Sequence, residues 1–323
     1  MNLPHTISVH AGRTGSHLQG IACDPLLQHL YLSFTTCLLK TDLTGRILCR
    51  VDGIAGHLGC IAWNAEERRI YGSLEYKRDA IGQGILRNLG QDGAAEDGFY
   101  MVRFAADKMD RPQMGALRDG VMDAVYLQEV YNDYTAPNHR YGCSGIDGCT
   151  FTDEKTLYVA YGIYGDTQRR DNDRQVLLQY DVSGWDACAR PLDQNAMHRS
   201  GPAAPDGKHF LHTGNTTYGI QNLEYDASLS AMVAAVYPGR KPEFPNYDLF
   251  FIDSSTLSLT DFAGHSDHRF CGSHFPYGTE GLCALGGGYF YIGRDVKEGA
   301  EHGALVELWR FDAEELTFHR AEA

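Results

Sequence analysis

The stretch His57-Leu-Gly-Cys-Ile-Ala-Trp-Asn64 decides the fold, because the chain repeats it. It returns as His17-Leu-Gln-Gly-Ile-Ala-Cys-Asp24, Tyr141-Gly-Cys-Ser-Gly-Ile-Asp147, Tyr218-Gly-Ile-Gln-Asn-Leu-Glu-Tyr-Asp226 and Tyr277-Gly-Thr-Glu-Gly-Leu-Cys283. After a short polar or glycine turn, each copy is followed by a second apolar run: Leu30-Tyr-Leu-Ser33, Ile70-Tyr-Gly-Ser73, Leu157-Tyr-Val-Ala160, Met232-Val-Ala-Ala235 and Phe290-Tyr-Ile-Gly293. A third run comes next, as in Cys37–Asp42, Phe99–Phe104, Val176–Asp181, Leu249–Asp253 and Leu305–Asp312. A fourth and more polar run closes each unit, at Arg46–Val51, Val121–Leu127, Asp186–Arg190, Ser258–Phe262 and Leu316–Arg320. Apolar, β-branched and aromatic runs bounded by Gly, Asp, Asn and Ser read as strands. A four-strand unit that returns five times, with no helical period between its strands, is a repeat architecture.

Such units close on themselves as blades. The pattern predicts an all-β chain, a five-bladed β-propeller with four-stranded antiparallel blades around a central channel. One domain is expected over residues 1–323, with blades at approximately 16–53, 57–127, 141–190, 218–263 and 277–320. The stretch Thr6–Gly12 resembles the fourth strand Ile47–Gly53. It is therefore expected to close the last blade beside Leu316–Arg320. A β-sandwich would require five aligned four-strand units by coincidence. The chain is similar over its whole length to five-bladed β-propeller proteins as an architecture, and to no single family among them. That resemblance implies candidates such as glycoside hydrolases, which use carboxylates at the channel mouth, and metal-dependent sugar lyases or lactonases on related propellers. It remains an analogy of fold.

Composition narrows the partners. A formal net charge of −14 argues against nucleic acid, whose phosphates need clustered Lys and Arg. The chain is 43% hydrophobic, with no apolar run long enough to span a bilayer, so no membrane partner is expected. The first ten residues lack a basic region and a long apolar core, so no signal peptide is read there. Nine cysteines without a Cys-x-x-Cys pair suggest reduced, buried thiols in a cytoplasmic protein. No Gly-x-Ser-x-Gly, P-loop or Gly-x-Gly-x-x-Gly signature follows a strand, so no nucleotide cofactor is expected.

Loop lengths locate the site. In an antiparallel blade, the loop between strands two and three shares a face with the loop leading into the next blade. The long insertions Lys77–Gly98, Tyr164–Gln175, Tyr237–Tyr247, Asp295–Gly303, Gln128–Arg140, Pro191–Thr217 and Gly264–Pro276 all read onto that face. Length placed on one face of a rigid scaffold is where binding and catalysis concentrate. Glu75 and Glu280 are the candidate acid/base pair there, with His57 and His139 as further catalytic candidates. Gln19, Tyr141, Tyr164, Gln221, Asn222 and Arg294 are candidate substrate contacts, because sugar-like ligands need flat rings and directional hydrogen bonds. His17, His212, His274 and Glu224 are candidate ligands of a divalent metal such as Mn, Zn or Ca. Asp147 is poised evenly between a structural and a functional role, and the acidic segment Asp166–Arg174 gives a weak Ca²⁺ signal. The expectation is an enzyme acting on a small polar substrate, a carbohydrate or sugar-acid derivative, by hydrolysis or elimination. The alternative is a non-catalytic propeller that binds a ligand or protein.

Overall fold

The computed structural model describes residues 3–13, 16–90 and 96–322. Blade one runs Leu18–Cys23, His29–Phe34, Cys37–Asp42 and Ile47–Asp52, and blade two His57–Asn64, Arg69–Tyr76, Gly98–Ala105 and Met122–Tyr126. Blade three comprises Cys143–Phe151, Thr156–Ile163, Gln175–Asp181 and Gly207–Leu211. Blade four comprises Thr216–Asp226, Ala231–Pro238 and Leu249–Asp253, with Ser258–Leu259 and Gly272–Ser273 sharing its outer edge. Blade five comprises Leu282–Gly286, Tyr289–Glu298 and Glu301–Asp312. The first strand of each blade packs on the first strand of the next, and that of blade five packs on that of blade one. The ring is therefore closed, and the fold is the five-bladed propeller read from the repeats.

The repeated phrases also supply contacts between blades. Ser33 and Ser73, which end two of the second-strand runs, donate at 2.7 Å to the backbone carbonyls of Gly59 and Asp147 on the next inner strand. Apolar side chains fill the wedges: Tyr31 stacks on Trp63 at 5.6 Å between blades one and two, and Tyr71 meets Phe151 edge-on at 4.9 Å between blades two and three. Both chain ends lie in blade five. Thr6–Gly12 pairs with Glu307–His302, and Thr317–Arg320 pairs with Asp312–Trp309, end to end on one edge. Neither is outside the other.

The fourth strand of blade three departs from expectation. Asp186–Arg190 is no strand: Trp185–Ala187 form a 3₁₀ turn, and the strand is Gly207–Leu211. The Ala- and Cys-containing run has no β-branched residue to hold it in a sheet. Arg103 instead holds it outside blade two, with Nη1 2.8 Å from Asp186. The following segment runs along the outer strand of blade two, where Arg190 bridges Ala124 and Tyr126 N donates to Ser200 O at 2.9 Å. Most of the Pro191–Thr217 insertion is thus removed from the mouth. Gln113–Gly115 covers blade one in the same way, pairing in parallel with Arg50–Asp52. Both segments occupy edges that would otherwise present unpaired backbone groups.

Two mouth insertions are helical, α1 (Ala80–Asn88) and α2 (Gln128–Thr135). Asp79 caps α1 by accepting from Gly82 N at 2.9 Å. Residues 91–95 of the Lys77–Gly98 insertion lie outside the described residues. Asp295–Gly303 is an extension of two paired strands rather than a loop. Among the described residues, no helix is long and apolar enough to cross a membrane.

Candidate functional site

A cavity of 440 Å³ opens at the mouth of the channel over blades one to four. Its lining includes His17 and Gln19 from blade one, His57, Glu75 and Lys77 from blade two, and Ser144 and Asp147 from blade three. Tyr164, Tyr218, Gln221 and Tyr237 complete the side toward blade four, and Ile81 of α1 overhangs it. The pairing register explains why His57 and Glu75 meet: they face each other across the first two strands of blade two.

Glu75 is the hub. Its Oε2 accepts from the backbone N–H of Ile146 at 3.1 Å, while its Oε1 takes the ammonium of buried Lys77 and lies 3.4 Å from Nδ1 of His57. The carboxylate Oδ1 of Asp147 is 3.9 Å from the same His57 nitrogen. Lys77 also donates to Ser144 O at 2.9 Å and lies 3.8 Å from Asp79. Two glycines make room. Gly145, at φ +130°, would place a Cβ 1.9 Å from Glu75 Oε2, and a Cβ on Gly59 would lie 2.8 Å from Asp147 Oδ1.

The charges follow from this geometry. Burial would push the Glu75 carboxyl up, but the Lys77 ammonium and the His57 ring reverse the effect and keep it ionised. Burial also works against a charged His57; contact with Glu75 and the charge of Asp147 outweigh it, so His57 holds its proton more tightly than an ordinary histidine. Asp147 has no cation of its own. Burial pushes its carboxyl up to about 7, with Glu75 adding to the shift and His57 and Lys77 opposing it. Gln221 Nε2 donates to Asp147 Oδ2 at 3.2 Å and fixes that oxygen toward blade four. The result is a carboxylic acid that exchanges its proton near neutral pH beside an imidazole whose hold on its own proton is strengthened.

The wall opposite Glu75 is aromatic. Tyr218 and Tyr237 meet edge-on at 6.5 Å, and burial raises the phenols of Tyr164 and Tyr237 above their ordinary range, so both remain neutral donors. Tyr164 is held by its backbone N–H on Gly142 O at 2.8 Å and by the His139 ring at 5.1 Å. Its loop is fastened by buried Lys241, which donates to Arg169 O at 2.6 Å and Asn172 Oδ1 at 3.1 Å and pairs with Asp173. Arg169 pairs with Asp171 at 2.7 Å. Asp171 and Asp173 thus each already face a cation.

Of the residues singled out in the sequence, the cavity gathers His17, Gln19, His57, Glu75, Asp147, Tyr164 and Gln221. The others stand elsewhere. Glu280 accepts from Asp295 N at 2.7 Å, Asp295 accepts from Leu18 N at 2.9 Å, and His302 lies 2.9 Å from Asp295, so this group fastens blade five to blade one. Asn222 is fully buried and donates to the carbonyls of Gln19 and Thr279 at 3.0 and 2.8 Å. His139 packs behind Tyr164, with Nδ1 2.6 Å from Tyr134 O. Tyr141 meets Phe210 edge-on at 4.9 Å outside the cavity, and Arg294 lies half-exposed near Glu307.

The four proposed metal ligands do not converge. His17 lines the cavity, His212 packs on His268 at 4.6 Å in a separate depression, and His274 is exposed beside Asp248. Glu224 lies deeper in the channel, accepting from Ala284 N at 2.9 Å. Among the described residues, no three His, Cys, Asp or Glu are arranged to hold a metal ion. The sequence reading missed Lys77 and Tyr237. Lys77 could have been found from its place two residues after Glu75, where period-two alternation in a strand puts both side chains on one face.

No family model and no curated protein matches the chain. Solved structures do. The hydrazine synthase of Kuenenia stuttgartiensis is 12% identical over 96% of this chain and 69% of its own, with a TM-score of 0.38. The soluble aldose sugar dehydrogenase of Escherichia coli, in its apo form, is 10% identical over 93% of this chain and 99% of its own, with a TM-score of 0.44. The WD40 repeats of RRP9 are 10% identical over 98% of this chain and 83% of their own, with a TM-score of 0.42. Likeness this distant carries nothing about the chemistry of the cavity.

Proposed function

We propose that the mouth cavity is an active site that hydrolyses a small, uncharged, hydroxyl-rich substrate, a carbohydrate, by general acid–base catalysis. One observation carries the reading: a carboxyl that titrates near pH 7, Asp147, stands 3.9 Å from a histidine whose other neighbour is an ionised carboxylate. Groups poised near the working pH are what proton transfer requires. Asp147 would donate a proton to the leaving oxygen. With Nδ1 of His57 turned to the carboxylates, Nε2 is the ring nitrogen left to accept a proton from the attacking water. Glu75 and Lys77 act through His57 by fixing its position and charge. Because the two groups interact, the productive state holds one proton between them, and their titrations belong to the pair.

The lining supports an uncharged substrate over a sugar acid. Lys77 is held by Glu75 and the Ser144 carbonyl, so a substrate carboxylate would meet Glu75 and Asp147 with no other ammonium or guanidinium among the lining side chains. Elimination from a sugar acid builds charge on that carboxylate and calls for such a cation; hydrolysis does not. Tyr164, Tyr218 and Tyr237 offer ring faces, and Gln19 and Gln221 offer hydroxyl partners. The free cysteines support a reducing compartment such as the cytoplasm.

The test is a panel of neutral glycosides and of the corresponding uronides, assayed with the wild type, D147N and H57Q. Release of reducing ends from a neutral glycoside, lost by 10³-fold or more in D147N, is expected. Binding without turnover would favour the non-catalytic alternative, and turnover undiminished in D147N would refute the assignment.

A further inference from the structure

Below the mouth, the channel changes character. Cys60 of blade two and Cys149 of blade three occupy facing positions on neighbouring inner strands, both almost wholly buried, at 1% and 0% exposure. Each thiol reaches toward the other's backbone: Cys60 Sγ donates to Cys149 O at 3.5 Å, and Cys149 Sγ to Cys60 O at 3.4 Å. The reciprocal pair of contacts sets the two thiols side by side between the strands. The pairing of each inner strand with its own second strand is irregular here, between Leu58 and Ile61 in blade two and between Ile146 and Cys149 in blade three. Glu224, half-buried on the inner strand of blade four, is near enough to interact electrostatically with both thiols.

None of this is used by the acid–base chemistry above. Yet Cys149 is two residues from Asp147, and Cys60 is three from His57. We propose that Cys60 and Cys149 are a redox-active dithiol that forms a disulfide between blades two and three on exposure to a small peroxide. The thiolate of Cys60 attacks one peroxide oxygen, the O–O bond breaks, and the leaving oxygen departs as water after taking up a proton. The sulfenic acid so formed on Cys60 is attacked by the Cys149 sulfur. The S–O bond breaks, the S–S bond forms, and a second water leaves. In sum two thiols and one hydrogen peroxide give one disulfide and two waters. The steps balance equally with Cys149 as the attacking thiolate and Cys60 as the resolving thiol.

The cross-link ties the strand carrying His57 to the strand carrying Asp147. It is expected to raise the melting temperature by several degrees, because it closes a loop of nearly ninety residues (60 to 149), and to alter the spacing of the acid–base pair. The experiment treats the native protein with hydrogen peroxide, blocks remaining thiols under denaturing conditions, and maps the digest by mass spectrometry without reduction. The expected product is a Cys60–Cys149 linked peptide pair, lighter by two hydrogens and abolished by dithiothreitol. C60S and C149S should each prevent the melting-temperature rise while keeping the circular dichroism of the parent. The proposal is overturned if both residues are recovered as free thiols, if they appear only as sulfinic or sulfonic acids, or if either is linked to another cysteine such as Cys23 or Cys283.

Discussion

Replacing Asp147 with Asn removes one ionisation from the floor of the cavity and leaves the shape intact. The amide oxygen can still accept from Gln221, and no atom is added near Gly59. The folded carboxyl titrates near 7 and an unfolded aspartate near 3.8, so between those values the folded protein holds a proton that the unfolded chain has lost. Stability must therefore fall as pH rises through this window, by about 1.4 kcal/mol per unit. Across some three units the total comes to about 4 kcal/mol, fully felt above pH 7 and absent below pH 4. D147N lacks this cost. It should match the wild type at pH 4 and be the more stable protein at pH 8, by an amount approaching that figure. Urea unfolding of both proteins at half-unit steps from pH 4 to 8.5 measures the difference. Curves that run parallel across the range would show that Asp147 ionises normally, and the physical basis of the acid–base pair would be gone.

K77M leaves buried Glu75 without its cation and should cost about 3–5 kcal/mol at pH 8. The loss should shrink at acid pH as Glu75 takes up a proton, which unfolding at two pH values would reveal. G145A forces a Cβ into Glu75 at a backbone angle that disfavours side chains; several degrees of melting temperature should go with it, and with them the neutral titration of Asp147. S73A removes one bond from blade two to the Asp147 carbonyl and should cost about 1 kcal/mol in a denaturant titration. For any substrate found, kcat/KM should trace a bell against pH whose limbs move in H57Q and D147N, and Y164A should raise KM more than it lowers kcat.

The ring was legible because strand signals are local: apolar runs, polar turns and a shared opening phrase survive without any knowledge of neighbours. The outer strand of blade three was not, since Lys208–Leu211 is too short and too polar to stand out, and Asp186–Arg190 sits where a fourth strand was due. The helix α1 announces itself only through Asp79 and the spacing of Ile81, Ile85 and Leu86, a signal masked by the Gly-rich stretch after it. In the site, loop lengths pointed to one face, and the cavity there gathers part of the named set, but the choice among carboxylates was not available from sequence. Glu75 and Asp295 both lie on second strands and both accept from the next inner strand, at Ile146 and Leu18. Only the three-dimensional arrangement shows that one adjoins Lys77 and a cavity, while the other adjoins Glu280 and His302 at the ring closure. Asp147 owes its character to burial beside His57 and Glu75, which no spacing in the chain records.

The carboxyl resonance of Asp147, followed by carbon NMR in aspartate-labelled protein and assigned by its absence in D147N, tests the central claim most directly. The account predicts a midpoint near pH 7 that shifts when His57 is replaced. A midpoint in the ordinary aspartate range near 4 would contradict it.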